Sequence, residues 1–118
     1  MTKKRVILLT LMVVLVCFAT EAAAKLYIAH GSVSLSFDGS QAICAAWYTA
    51  NNTSDALDVT LSLYRGNTLV TSWNKTGTGS TSLSKRCTVQ SGKTYTLVMQ
   101  CSINGIAQPT LSTTKTCP

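Results

Sequence analysis

Residues 89–110 read Val-Gln-Ser-Gly-Lys-Thr-Tyr-Thr-Leu-Val-Met-Gln-Cys-Ser-Ile-Asn-Gly-Ile-Ala-Gln-Pro-Thr, and the fold turns on them. Tyr95, Leu97, Met99, Cys101 and Ile103 alternate with Thr94, Thr96, Val98, Gln100 and Ser102, the period of a strand that buries one face. Asn104-Gly105 follows at once. Both residues tolerate the positive φ of a type I′ turn, so the pair predicts a hairpin. Ser91-Gly92 turns the chain into the same strand from the one before it. A long strand entered by one turn and left by another is the middle of an antiparallel sheet, and the rest of the chain is expected to supply the strands that cover it.

Upstream the same period recurs. Val33, Leu35 and Phe37 alternate with Ser32, Ser34 and Ser36 in a strand within residues 25–37. Residues 42–48 form a second, in which Ile43, Ala45 and Trp47 are read as the core face and Cys44 as the outer one. Leu57, Val59, Leu61 and Leu63 alternate with Asp58, Thr60, Ser62 and Tyr64 in the cleanest period-2 run of the chain. Arg65-Gly66-Asn67-Thr68 closes a hairpin onto residues 69–73, residues 75–80 with Gly77 and Gly79 read as a flexible loop, and residues 81–89 carry Leu83, Lys85, Cys87 and Val89 on one alternation. About seven short strands, with turn signals every eight to twelve residues and no helical period after the N-terminal segment, predict an all-β, single antiparallel sandwich.

The first 24 residues have a different character. Lys3, Lys4 and Arg5 precede an apolar run over residues 6–18, and Ala22-Ala23-Ala24 offers a small-residue cleavage site, the three-part pattern of a secretory signal peptide. The run is shorter than the ~20 residues of a membrane span. Cleavage there leaves residues 25–118 as one domain, lowers the net charge from +6 to about +4, and takes out much of the apolar content behind the mean hydropathy of +0.24. The expected location is therefore extracellular.

Of the five cysteines, Cys17 leaves with the signal segment. Cys44, Cys87, Cys101 and Cys117 remain, an even number in an exported domain, and are read as two disulfides rather than a zinc site, since no pair has knuckle spacing and His30 is the sole histidine. Three connectivities are open. The favoured one joins Cys44 to Cys87 and Cys101 to Cys117, with each bridge worth ~2–4 kcal/mol.

A resemblance supports the fold. Val89, Gly92, Tyr95, Leu97, Met99, Gly105 and Pro109, preceded by Trp47, resemble the late strands of a fibronectin type III or related immunoglobulin-like domain, in which an apolar residue six positions before a core Tyr and a Gly three before it shape the corner into the penultimate strand. The chain is also similar to small exported bacterial proteins of unknown function that carry one such sandwich. The immunoglobulin pattern of Cys, downstream Trp and a Tyr two before the second Cys is absent, because Tyr95 lies six before Cys101.

Catalytic chemistry finds few groups. The exported part has no Glu, three Asp and His30 near its start. Asp55 and Asp58 read as loop and strand-start residues rather than as the paired carboxylates of a glycosidase, and no Gly-rich phosphate loop is present. The expectation is a non-enzymatic module with no cofactor and no metal. It would recognise a surface glycan or protein through end loops, with Trp73, Tyr48, Tyr64 and Arg65 as candidate contacts. The alternative is a cationic secreted effector, toxin-like or inhibitory, in which Lys75, Lys85, Arg86 and Lys93 meet an anionic membrane or wall surface. Nucleic acid is disfavoured as a partner by export and by the lack of interleaved basic and aromatic residues. Asn51, Asn52 and Asn74 match the N-glycosylation sequon.

Overall fold

The computed structural model describes residues 29–118; the expected signal segment lies outside them. Eight strands follow one another: β1 (Ala29–Asp38), β2 (Gln41–Ala50), β3 (Ala56–Arg65), β4 (Thr68–Thr78), β5 (Ser80–Thr88), β6 (Thr94–Ile103), β7 (Ile106–Ala107) and β8 (Leu111–Thr116). Every pairing is antiparallel. The eighth strand arises because the last hairpin yields the two-residue β7, the chain breaks at Gln108-Pro109-Thr110, and β8 then rejoins β6. Pro lacks the N–H that a continued ladder would need.

Hydrogen bonding runs in the order β1-β2-β5-β4-β3-β6, with β7 and β8 both on β6. The step from β5 to β4 is a single pair, Thr78↔Ser80. There the sheet folds over on itself. One layer is β1-β2-β5, the other is β4-β3-β6 with β7 and β8, and β2 faces β3 and β6 across the core. Residues 75–80, expected as a flexible loop, instead extend β4 and β5 through a tight turn at Gly79. That residue has φ +79°, its N–H donates to Asp55 O at 2.8 Å, and a Cβ on it would meet Thr53 O at 2.9 Å, so only glycine fits.

The core lies between the layers. Leu57, Val59, Leu61 and Leu63 of β3 and Tyr95, Leu97, Met99, Cys101 and Ile103 of β6 are buried, as their alternation predicts. Asn104 and Gly105 both have positive φ, 52° and 83°, between the paired residues Ile103 and Ile106, as a type I′ hairpin requires. At the entrance to β6 the Gln90 N–H donates to the hydroxyl of buried Tyr95 at 2.9 Å, which fixes the β5–β6 corner. Leu35, Val33 and Phe37 face inward from β1, and Phe37 meets the Tyr95 ring with centroids 6.2 Å apart.

Two relations close the flanks. Lys75 Nζ, from β4, donates to Ser82 O on β5 at 2.9 Å, spanning the two layers beside their shared turn. On the opposite flank β1 and β8 lie side by side. They run in the same direction, since Gly31 near the start of β1 adjoins Leu111 at the start of β8, and Cys117 just past β8 adjoins Gly39 just past β1.

Among the described residues the four cysteines are thiols, not disulfides. For Cys101 and Cys117 the register gives the reason. The Cys117 N–H bonds to Lys93 O at 2.9 Å, so Cys117 stands beside Lys93 while Cys101 lies eight residues along the same strand, ~27 Å away at ~3.4 Å per residue. A bridge reaches only 4.4–6.8 Å between Cα atoms. Cys44 and Cys87 share the inner face of neighbouring strands, but Cys87 pairs with Ala42 and Cys44 with Lys85, which makes them diagonal neighbours.

Candidate functional site

The decisive local feature is the facing of β2. Ala42, Cys44, Ala46, Tyr48 and Ala50 are buried, whereas Ile43 and Ala45 are half-buried on the outer face and Trp47 is 46% exposed there. This reverses the expectation that Ile43, Ala45 and Trp47 face the core. Both alternations of β2 are apolar, so bulk alone misleads. The inward set is small because it lies against the large leucines of β3, and its one large member, Tyr48, sits over Gly31, where an added Cβ would come 2.5 Å from the Tyr48 ring. A signal was present in the sequence. Polar Gln41 and Thr49 end the alternation that contains Trp47, while that of Ala42, Cys44, Ala46, Tyr48 and Ala50 is apolar throughout.

Trp47 therefore stands in mid-strand on the outer face of the three-stranded layer. The register sets Ser32 of β1 and Ser82 of β5 on either side of it, and places Ser34 and Ser84 on either side of Ala45 in the next row. Ser32, Ser34, Ala45, Ala46, Trp47, Ser82, Leu83 and Ser84 line a groove of about 290 Å³. The methyl of Ala45 makes its floor low beside the indole. No hydrogen bond within the protein uses the hydroxyls of these four serines. One row farther, Arg86 pairs with Asp38 at 3.5 Å and with Gln41 Oε1 at 3.4 Å, so the charges bordering this face offset one another.

The expected contacts do not assemble into one site. Tyr48 is 6% exposed and turned into the core, a correction to its reading as a candidate contact, and burial raises its pKa, with Cys101 nearby adding to the rise. Trp73 pairs with Leu61 on the inner side of β4 and packs half-buried against the core. Tyr64 and Arg65 sit together at the β3–β4 hairpin with exposed Leu69 and Val70, and Arg65 Nη1 donates to Gln90 Oε1 at 3.0 Å. Neither joins the Trp47 groove.

The ionisable groups are equally dispersed. Asp55 is buried at one end of the sandwich, accepting from Asn104 Nδ2 at 3.1 Å, while Asp58 lies exposed on β3 and accepts from Asn74 Nδ2 at 2.7 Å. Lys75 is committed to Ser82 O and Arg86 to Asp38 and Gln41. Burial first, and Cys87 nearby second, push the Cys44 thiol up to about 12; burial likewise takes Cys101 to about 11 and raises Cys87. Such thiols are poor nucleophiles at neutral pH. Among the described residues no three His, Cys, Asp or Glu side chains are grouped to hold a metal. Of the sequons, Asn74 has its amide bound to Asp58, Thr60 and Val59, whereas Asn51 and Asn52 are exposed in a loop.

No protein-family model matches the chain, and no characterised protein matches it in sequence. Among solved structures it is similar to part of a β-glucuronidase of glycoside hydrolase family 2, with a TM-score of 0.52 and 10% identity over 74% of this chain and 11% of that one. Bacteroides uniformis β-glucuronidase 2 gives 0.50 and 12% over 75% and 13%. The sensor domain of the anti-sigma factor RsgI4 of Pseudobacteroides cellulosolvens gives 0.48 and 10% over 76% and 96%. The chain thus spans only a small part of the two glucuronidases. The likeness to them shows an all-β sandwich.

Proposed function

We propose that this protein is an exported, non-enzymatic module that binds a surface glycan on the outer face of its β1-β2-β5 layer. The observation that carries the reading is Trp47, a large aromatic 46% exposed in mid-strand and bordered by serine hydroxyls that no protein group uses. An exposed indole on a rigid sheet offers the C–H face of a sugar a stacking surface, and hydroxyls both donate and accept, as a sugar's own hydroxyls do. Binding energy would come from the face rather than from the end loops. Two further observations support an immunoglobulin-like or fibronectin type III-like sandwich as the scaffold: the layer composition β1-β2-β5 against β4-β3-β6-β8, and the Tyr95 hydroxyl at the β5–β6 corner.

The test is binding of the protein to an array of glycans and cell-wall polymers at low and high salt, beside Trp47→Ala with its fold checked by far-UV circular dichroism. Selective binding that survives salt and disappears in the variant is the expected result. Binding that Trp47→Ala leaves intact would refute the assignment of the face. A second reading, contact with a protein, is favoured by the β3–β4 hairpin, where Leu69 is 52% and Val70 41% exposed beside Tyr64 and Arg65. Loss of a partner on Leu69→Asp, with glycan binding unchanged, would support it.

A further inference from the structure

Resting on the glycan reading above, we infer that the groove over Ala45 takes one uncharged pyranose ring, stacked beside Trp47 and held by Ser32, Ser34, Ser82 and Ser84, and discriminates against uronic, sialic and phosphorylated sugars. The dimensions come first. Successive same-face rows lie ~6.7 Å apart along a strand, and β1 and β5, with β2 between them, lie ~9.6 Å apart. The four serines therefore mark the corners of a rectangle that matches one sugar ring and is too small for two side by side. The groove holds about 290 Å³.

The charge argument is independent of size. None of the residues lining the groove is ionisable. Of the ionisable groups on the same face, Arg86 stands one row beyond the floor and is already engaged by Asp38 and Gln41, and His30 stands one row beyond Trp47. Lys75 comes to the edge of β5 from the other layer and spends its ammonium on the Ser82 carbonyl. An anionic group seated here would give up water for hydroxyl partners alone, which is costly for a charge. A neutral ring, by contrast, exchanges water for hydroxyls that can donate or accept as required.

Ala45 sets the depth. Any larger side chain at that position stands where the ring would lie, yet it projects outward and leaves the core untouched. The experiment uses a Trp73→Phe background, so that Trp47 is the sole tryptophan of the exported chain and its fluorescence reports the groove directly. Methyl glycosides of glucose, galactose, mannose and N-acetylglucosamine are titrated beside the methyl glycosides of glucuronic and galacturonic acid, at about 50 and about 500 mM NaCl. At least one neutral glycoside is expected to shift the emission saturably, with an affinity changed less than about twofold by salt. Its uronate counterpart is expected to bind about tenfold more weakly or worse, and Ala45→Leu to lose about tenfold with an unchanged far-UV spectrum.

A uronate that binds as tightly as its neutral counterpart, or an Ala45→Leu variant of unchanged affinity, overturns the one-ring neutral site while leaving glycan binding by this face standing. Failure of every glycoside to move Trp47 fluorescence, together with no binding on the polymer array, overturns both. Binding on the array with no response from any monosaccharide overturns the single-ring site alone.

Discussion

Replacing Tyr48 by alanine and, separately, Trp47 by alanine asks which alternation of β2 holds the core. Tyr48 is 6% exposed and Trp47 46%. Aromatic side chains bury ~150–250 Å² when enclosed, and apolar burial is worth ~25 cal/mol per Å². Enclosing Tyr48 therefore contributes ~4–6 kcal/mol on that bookkeeping, and measured truncations of this kind cost ~3–5 kcal/mol. Trp47 keeps about half its surface in water, so the same reasoning gives it ~2–3 kcal/mol. For a domain of this size the larger loss takes roughly a third or more of a total of ~5–15 kcal/mol, and lowers Tm by roughly 15–30 °C. Urea unfolding followed by far-UV circular dichroism, which does not depend on tryptophan, measures both variants. A Trp47→Ala loss equal to or above that of Tyr48→Ala would refute the facing of β2, and with it the groove built on that face.

Other consequences are open to direct measurement. Tyr95→Phe deletes the hydroxyl that accepts the Gln90 N–H at 2.9 Å, and should cost ~1–2 kcal/mol in urea unfolding with the spectrum unchanged; a neutral substitution would remove the corner from the account of stability. Gly31→Ala places a methyl against the Tyr48 ring and should lower Tm, whereas Gly31→Ala combined with Tyr48→Ala should lose less than the two singly measured effects added together, as expected for neighbours in contact. Burial raises the thiols of Cys44, Cys87 and Cys101 above the ordinary value of 9.0, so the folded state holds protons that the unfolded chain releases. Stability from these groups is full below pH 9 and falls as pH rises toward 12; an unfolding free energy that is flat or rising from pH 9 to pH 11 would contradict it. Peptide mapping of the unreduced protein should show no link between Cys101 and Cys117, and any bridge that does form should join Cys44 to Cys87.

The parts of the fold legible in the sequence were those where one alternation is apolar and the other polar. β3 and β6 satisfy that condition apart from Ala56 and Val98, and Leu57, Val59, Leu61, Leu63 and the inward residues of β6 are all buried. Asn104-Gly105 was equally plain, because few residue pairs accept two positive φ values in succession. β2 was not plain, since both of its faces are apolar and the choice between them depends on the facing layer, which period alone does not contain. Residues 75–80 differ from expectation for a related reason: Gly77 and Gly79 suggest slack, but Gly77 lies in a ladder opposite Leu57 and Gly79 makes a tight turn. The cysteines failed by position. Their even number said nothing of register, and register separates Cys101 from Cys117 by most of a strand. The candidate site was visible only as a set of aromatic residues, and the one that is accessible in mid-face was the one assigned to the interior.

The side-by-side course of β1 and β8 has a mechanical consequence. Because the two strands run the same way, the described chain enters at one end of the sandwich and leaves at the other. Tension between its ends is then directed along the strands, drawing β1 against β2 and β8 against β6. The β1–β2 ladder pairs ten residues on each strand, from Ala29↔Ala50 to Asp38↔Gln41, and a load parallel to it falls on all of its rungs together rather than opening them one by one. A glycan held on the outer face of that same layer would thus be gripped by the part of the molecule best placed to bear a pull.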